Sequence, residues 1–169
     1  WGRHSTAGIR WLTDAVDQEA KLTHLHNDAS EVSQAVNAIC MYLILGHPLE
    51  KSLRFGSYFI KNNLNNRFGR VGYHSSDEIK SLSIGDLNDG GYAPDVLIAA
   101  IWFLLNTDTF EEALKQSKEF AGVANYCPVL VGSIGGALYG YNSIKSNLNQ
   151  RTIESTSSIS IVVDYALTL

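Results

Sequence analysis

The sequence predicts an all-α fold, a compact bundle of several helices. Residues 96–105 form an apolar run that is too long for most strands and too short to cross a bilayer. Residues 32–44 place apolar side chains at helical spacing, and glycines recur at every fourth position within residues 132–140. Each of these three patterns favours a helix.

The composition limits the kind of protein this can be. The chain has 169 residues, 45% of them hydrophobic and 18% charged, which is typical of a globular protein and predicts one helical domain over residues 1–169. Its net charge of −4, without a cluster of Lys or Arg, argues against nucleic acid or a membrane as a partner. Cys40 and Cys127 lie in apolar contexts, which suits free thiols in a reducing, cytoplasmic location.

Three helices are predicted in the first part of the chain. The first begins at Ser5 or Thr6, the second at the start signal Asn27-Asp28, and the third after Pro48. Residues 61–80 are predicted to form a loop, because Asn and Gly dominate its first half. The side chains predicted to face inward are Ile9, Leu12 and Val16 in the first helix, Val32, Ala35, Val36, Ile39, Cys40, Leu43 and Ile44 in the second, and Leu49, Leu53, Gly56, Ile60 and Leu64 in the third.

Three more helices are predicted in the second part. A buried helix covers the apolar run, with Pro94 in the first turn, where its missing N–H is not needed. Thr109 and Glu112 have the spacing of a capping box and start the next helix, whose inward side chains are Phe110, Ala113, Leu114 and Phe120. A last helix begins near Pro128, and we expect another helix to approach its glycine stripe closely: Gly132, Gly136 and Gly140. The tail after Asn142 stays open between helix and strand.

Several sequence blocks resemble a known family. They are GGYAPDVLIAAIWFLL at 90–105, TDTFEEAL at 107–114, the turn at 121–125, GSIGGALYG at 132–140 and LTHLHNDASEVSQAVNAICMYLILG at 22–46. Their order and spacing are similar to those of the C-terminal half of the ADP-ribosylglycohydrolase family, of the dinitrogenase-reductase-activating type. The resemblance implies that the chain is a single helical domain or the C-terminal half of a larger domain of that family.

The resemblance also implies a change at the metal site. Members of this family bind two magnesium ions through hard oxygen ligands, some of them in a Gly-Gly-Asp-x-Asp-Thr turn before the late helix. Here Val123 and Asn125 replace the two aspartates, and Tyr126 replaces the threonine. Asn125 is a weak candidate metal ligand, and no other metal ligand is predicted. We expect no cofactor for this chain alone, and magnesium only if a missing half supplies the ligands.

The same resemblance names candidate ligand-binding residues, which are Arg10, His24, Gly122, Asn125 and Tyr126. In the family, the residue at the position of His24 faces the nucleotide-sugar cleft, although a local hydrogen bond at a helix start is an equally good interpretation. Free N–H groups at the start of the last helix are expected to suit a diphosphate. Tyr126 is expected to fill the vacated metal pocket.

Three functions remain open from the sequence, since no other catalytic motif is present. The first is an ADP-ribosylglycohydrolase-like protein that is non-catalytic or incomplete as it stands and binds ADP-ribose, an ADP-ribosylated protein or a partner. The second is an active magnesium-dependent ADP-ribosyl hydrolase whose metal ligands come from a missing or separate N-terminal half. The third is a structural or occluding interaction protein. An apolar face covered by a dimer mate or a second polypeptide is expected in any of these cases.

Overall fold

The computed structural model describes residues 6–60 and 76–147. These residues contain no strand, and no helix among them is long and apolar enough to cross a membrane. The α-helices are α1 (Thr6–Lys21), α2 (Asn27–Ile44), α3 (Leu49–Ser57), α4 (Ser76–Lys80), α5 (Ala93–Asn106), α6 (Phe110–Phe120) and α7 (Cys127–Asn147), and a 3₁₀ turn spans Ile84–Asp86. The predicted all-α fold is therefore confirmed, and the tail from residue 148 onward lies outside the described residues.

Helix α5 is the centre of the bundle. Its first turn contains Pro94, and nine of its fourteen residues are buried. It packs against α2, α4, α6 and α7, so apolar side chains are needed on nearly all of its sides. This confirms the prediction that the apolar run is a buried helix.

Three helices supply the five largest fully buried side chains of the described residues. These are Leu97 and Phe103 of α5, Ile39 of α2, and Val131 and Ile134 of α7. Burying one such side chain contributes about 1.5–3 kcal/mol to the free energy of unfolding. The packing of α2, α5 and α7 against one another therefore holds the N-termini of these three helices in fixed relative positions.

Helix α3 lies against α2 through a glycine. A methyl group at Gly56 would lie 2.5 Å from Ile39 Cγ1, so the α3 backbone packs directly onto the α2 side chains. Leu49, Leu53 and Ile60 are partly buried against the core, as the sequence predicts. Leu64 lies outside the described residues.

The prediction of a loop up to Lys80 is wrong at its end, because residues Ser76–Lys80 form the short helix α4. Ile79 is buried, and α4 packs against α5. Asp77 and Glu78 lie in the first turn and Lys80 in the last, so the charges favour a helix. One buried apolar side chain and this charge order are enough to make the segment helical.

Helix α6 begins as predicted at the N-cap Thr109, whose hydroxyl oxygen accepts a hydrogen bond from Glu112 N at 3.2 Å. The carboxylate of Glu112 accepts a hydrogen bond from Gln116 Nε2 at 3.1 Å. Ala113 is fully buried, and Leu114 and Phe120 are partly buried against the core. Phe110 is half-buried, with its ring 6.3 Å from that of Tyr139 in α7.

Within residues 6–60 and 76–147, the predicted close approach at the glycine stripe of α7 is not found. Among the described residues, no atom lies within 4 Å of a methyl group built at Gly132 or Gly136, and Gly140 has a φ of +75° that interrupts the helix. The close neighbour is at Gly135, where a methyl group would lie 3.0 Å from Phe110 Cδ2. The glycines at every fourth position are therefore not the ones that contact a neighbouring helix. The side of α7 that faces the core carries Ile134 and Gly135 instead.

Candidate functional site

Helices α2, α5 and α7 begin at the same end of the bundle, which we call the helix-start end. Tyr92, the N-cap of α5, donates its hydroxyl to the carboxylate of Asp28 in the first turn of α2 at 2.5 Å. Asn125, just before α7, donates Nδ2–H to the backbone oxygen of Gly90 at 2.8 Å. These two bonds connect residues that are 64 and 35 positions apart in the chain, so they hold three separate helix starts together.

The turn at residues 121–126 lies directly on the segment at residues 88–91. A methyl group at Gly91 would lie 2.6 Å from the backbone oxygen of Ala124, and one at Gly122 would lie 2.7 Å from the backbone oxygen of Asp89. Side chains larger than hydrogen do not fit at either position. Both glycines are therefore required by the approach of the two backbones.

The predicted site residue Asn125 uses both ends of its carboxamide inside the protein. It is 8% exposed; Nδ2 donates to Gly90 O, and Oδ1 accepts from Cys127 N at 2.8 Å. The preceding residue, Ala124, has a φ of +64°, a left-handed conformation that non-glycine residues rarely adopt. The turn is thus held in a strained conformation by this side chain.

The side chains just before and just after the pair Ala124-Asn125 point away from the protein. Val123 is 97% exposed and Tyr126 is 64% exposed. The expectation that Tyr126 fills a vacated pocket is wrong. Since Asn125 occupies the inner side of the turn, the neighbouring side chains are directed to solvent.

The expectation of free N–H groups in the first turn of α7 is also wrong. The N–H group of Cys127 is bonded to Asn125 Oδ1, and those of Val129 and Leu130 are bonded to the backbone oxygen of Tyr126 at 3.0 and 3.2 Å. Pro128 has no N–H group. A diphosphate at this position would find the positive end of the helix dipole, but none of these amide donors is available to it.

His24 lies in the turn between α1 and α2 and is exposed. Its Nδ1 lies 2.9 Å from Thr23 Oγ1, which is the local hydrogen bond that the second interpretation predicts. His26, the N-cap of α2, places Nδ1 3.4 Å from the Asp28 carboxylate. A ligand role for His24 stays a prediction, and so does one for Arg10, which lies in α1 with its side chain outside the described residues.

The carboxylates of the helix-start end are also engaged within the protein. Asp95 accepts a hydrogen bond from Asn88 Nδ2 at 2.8 Å, and Asp28 accepts from Tyr92. In the adjoining 3₁₀ turn, hydrogen bonds from Ser83 lower the pKa of Asp86. Within residues 6–60 and 76–147, no three His, Cys, Asp or Glu side chains form a group that could hold a metal ion.

Magnesium, which the resemblance implies, does not fit the turn at residues 121–126. Val123 has no donor atom and is turned to solvent. The carboxamide oxygen of Asn125 already accepts a hydrogen bond, and its nitrogen faces a carbonyl oxygen. A divalent cation prefers carboxylate and other oxygen ligands, and this turn offers no carboxylate.

Cys127 has no nucleophilic role in this site. It lies at the first residue of α7, a position that favours the thiolate, but it is fully buried. Burial raises the pKa of its thiol to about 12. The thiol is therefore protonated at neutral pH and acts as a small apolar side chain.

Tyr92, Asp28 and Gly91 belong to this site, but their roles were not predicted from the sequence. Asp28 was interpreted only as a helix start signal, and Tyr92 precedes the proline of α5 without any recognisable motif. The pair Gly90-Gly91 immediately before Tyr92 was the available signal, because adjacent glycines often mark a close backbone approach.

Comparison with known proteins gives the family. The sequence profile of the ADP-ribosylglycohydrolase family matches residues 4–166. The protein named ADP-ribosylarginine hydrolase Tri1 from Serratia proteamaculans (strain 568) is 30% identical over 128 residues, which are 76% of this chain and 33% of that protein. The protein of the same name from Pseudomonas putida (strain GB-1) is 25% identical over 142 residues, which are 84% of this chain and 36% of that protein.

The extent of these matches is enough to assign the family, but it does not assign the activity of the relatives to this chain. The chain spans about a third of the length of the curated relatives it matches. The family profile, in contrast, extends over nearly all of this chain and includes every described helix, from α1 to α7. The chain therefore belongs to the ADP-ribosylglycohydrolase family.

Proposed function

We propose that this chain, as it stands, is a non-catalytic or incomplete member of its family that acts by binding a second polypeptide at the helix-start end. The observation that carries the proposal is the turn at residues 121–126. It has lost the carboxylates that the family resemblance requires, and it turns Val123 and Tyr126 outward. Binding through this turn needs neither a metal nor a catalytic group.

Exposed apolar side chains near the three helix starts support a protein partner. Val129 of α7 is exposed together with Val123 and Tyr126, and Leu22 and Leu25 are exposed just before α2. Leu25, only three residues before Asp28, is 99% exposed. These exposed side chains would give a partner apolar contacts beside the starts of α2 and α7.

The proposed occupant is a polypeptide equivalent to the part of the relatives that this chain does not match. The matched residues are 33% and 36% of the two relatives, so most of each relative lies outside the match. A polypeptide of that origin, on the same chain or a separate one, would be complementary to a surface that the family fold retains. A reducing, cytoplasmic location suits this proposal, since both cysteines are free.

The test is to mix the chain with the unmatched part of the Serratia relative and to measure binding by sedimentation and calorimetry. We expect a one-to-one complex. Val123→Lys should weaken binding by at least about tenfold, because it places a charge in an apolar interface. Since Val123 is exposed, the variant should fold normally.

The matched control is Ile44→Lys. Ile44, which the sequence predicts to face inward, is instead 74% exposed, and as the last residue of α2 it lies at the opposite end of that helix. It should bind like the unchanged chain. Equal weakening by both variants, formation of a homodimer alone, or no complex at all would contradict the proposal.

A second candidate function, binding of ADP-ribose, is favoured by the names of the relatives, which are ADP-ribosylarginine hydrolases. The candidate residues are Gly122, Asn125 and Tyr126 in the turn, with His24 and Arg10 expected on the opposing wall. Titration of ADP-ribose into ¹⁵N-labelled chain should shift the amides of residues 122–126 and of His24 first. Shifts confined to α3 would rule out this position for the ligand.

Catalysis is tested by hydrolysis of ADP-ribosylarginine with and without Mg²⁺. The chain alone should release no ADP-ribose, because the turn offers no carboxylate to a cation. Hydrolysis by the chain alone would contradict the non-catalytic proposal. Hydrolysis that appears only in the complex would favour the alternative in which the second polypeptide supplies the metal ligands.

A further inference from the structure

We infer that the carboxamide of Asn125 is a positioning group. Its two hydrogen bonds set the position of residues 121–126, so that this position depends on an amide and not on a metal. The inference deepens the proposed function, because this turn carries Val123 and Tyr126 of the proposed docking surface. The hydrogen bonds of Asn125 lie within this chain and do not depend on the proposed function. Only their effect on the docking surface rests on that function.

The first step is the chemical match at the two ends of the side chain. Gly90 presents a carbonyl oxygen to Nδ2, and Cys127 presents an N–H group to Oδ1, each at 2.8 Å. A carboxamide offers a donor and an acceptor at once, whereas an ionised carboxylate of the same shape offers acceptors only. A carboxylate at this position would accept from Cys127 but would repel Gly90 O.

The second step is the position of the two bonds. One reaches the segment that precedes α5 and the other reaches the first residue of α7, so the side chain of Asn125 joins two helix starts. The side chain is nearly buried, which strengthens hydrogen bonds and makes an unpaired partner costly. The bridge is therefore closed on both sides without a cation.

The third step is the strain that the bridge holds. Ala124 has a left-handed φ of +64°, and its carbonyl oxygen is in close contact with Gly91. Such a conformation persists only where the surroundings fix it. Asn125, as the next residue, supplies the fixing contacts through its two side-chain hydrogen bonds. The exposed side chains of Val123 and Tyr126 lie just before and just after the pair Ala124-Asn125.

The experiment compares Asn125→Asp with the unchanged chain by thermal unfolding in EDTA and in millimolar Mg²⁺. The carboxylate keeps an acceptor for Cys127 and removes the donor to Gly90, so the variant isolates the amide requirement. We expect the Tm of the variant to fall by about 3–8 °C and Mg²⁺ to restore none of it. The unchanged chain should have the same Tm in both solutions.

The matched control is Asn106→Asp. Asn106 also donates Nδ2–H to a backbone oxygen, that of Trp102 at 3.0 Å, but it is exposed at the end of α5. Its Tm should change little. In ¹H–¹⁵N spectra, Asn125→Asp should shift the amides of Gly90 and Gly91, whereas Asn106→Asp should leave both in place.

The outcomes separate this inference from the proposed function. Recovery of the Asn125→Asp variant by Mg²⁺, a rise in Tm of the unchanged chain with Mg²⁺, or equal Tm losses in both variants would overturn the inference. Failure of the second polypeptide to bind would contradict the proposed function and would leave these Tm values as they are. Asn125→Ala provides a further check, because it removes both bonds and should also lower the Tm beyond the control.

Discussion

Two glycines of α7 that lie three residues apart should respond in opposite directions to the same substitution. Alanine in a helix is about 0.8–1.0 kcal/mol more favourable than glycine. At Gly132 this gain should be retained, since none of the described residues lies within 4 Å of the new methyl group. We therefore expect Gly132→Ala to raise the free energy of unfolding by about 1 kcal/mol.

At Gly135 the same methyl group would lie 3.0 Å from Phe110 Cδ2 and 3.2 Å from Leu104 Cδ2. Carbon atoms in contact prefer about 3.5–4.0 Å, so both side chains must move by a few tenths of an ångström or more. Leu104 is buried in the core and moves only with its neighbours, whereas the partly buried Phe110 has more freedom. Overpacking costs about 1–3 kcal/mol, which offsets the helical gain and leaves a net loss of about 0–2 kcal/mol.

Urea unfolding followed by circular dichroism measures both variants against the unchanged chain. The m values should agree, because the surface exposed on unfolding is almost the same. The difference between the two free energies should be about 1–3 kcal/mol, in favour of Gly132→Ala. Equal stabilisation by both substitutions would refute the packing argument, and a loss at Gly132 would mean that a part of the chain beyond the described residues covers it.

Three further predictions concern the helix-start end and the core. Tyr92→Phe should lower the free energy of unfolding by about 1.5–3 kcal/mol in urea, because it removes a hydrogen bond to the Asp28 carboxylate, whereas the exposed Tyr58→Phe should change it little. Gly91→Ala should destabilise the chain in the same assay by more than 1 kcal/mol or so, because its methyl group would lie 2.6 Å from a backbone oxygen of the facing turn, which cannot move aside as a side chain can. The Cys127 thiol should resist iodoacetamide in the native state, and the free energy of unfolding should fall as the pH rises from 9.0 towards about 12, since the unfolded thiol ionises first and the folded one stays protonated.

The fold was largely predictable because its strongest signals are local. Helix α5 is apolar on nearly every side, and such a run of ten residues has few alternatives to a buried helix. The start of α6 at Thr109 was equally clear, since an N-cap and its partner lie three residues apart. Helix α4 was missed because a helix of five residues is too short for a period to be visible.

The glycine stripe of α7 was misread for a different reason. A spacing of four residues identifies positions on one side of a helix, but it does not say which side faces the core. That choice depends on Phe110 and Leu104, which belong to other helices. Gly135 stands inside the same glycine-rich run, and nothing in the local pattern distinguishes it from its neighbours.

For the site, the resemblance identified Asn125 as an important position but not its partners. Its nitrogen is bonded to a backbone atom 35 residues earlier in the chain, and a backbone oxygen has no signature in a sequence. The bond between Tyr92 and Asp28 spans 64 residues and is hidden for the same reason. Contacts of this kind become visible only when three helices have been packed together.

An amide at position 125, where the family resemblance implies an aspartate, changes what the turn needs around it. A carboxylate in a nearly buried turn needs a cation or several donors to offset the loss of hydration, whereas a carboxamide needs one donor and one acceptor. Gly90 and Cys127 provide both, so the turn keeps its position with no net charge. Replacing Val123 and Asn125 by aspartate together would bring back the charges and remove the bond to Gly90. We therefore expect that the two carboxylates alone would not rebuild a metal site in this chain, because the backbone oxygen of Gly90 faces position 125 and needs a hydrogen-bond donor there.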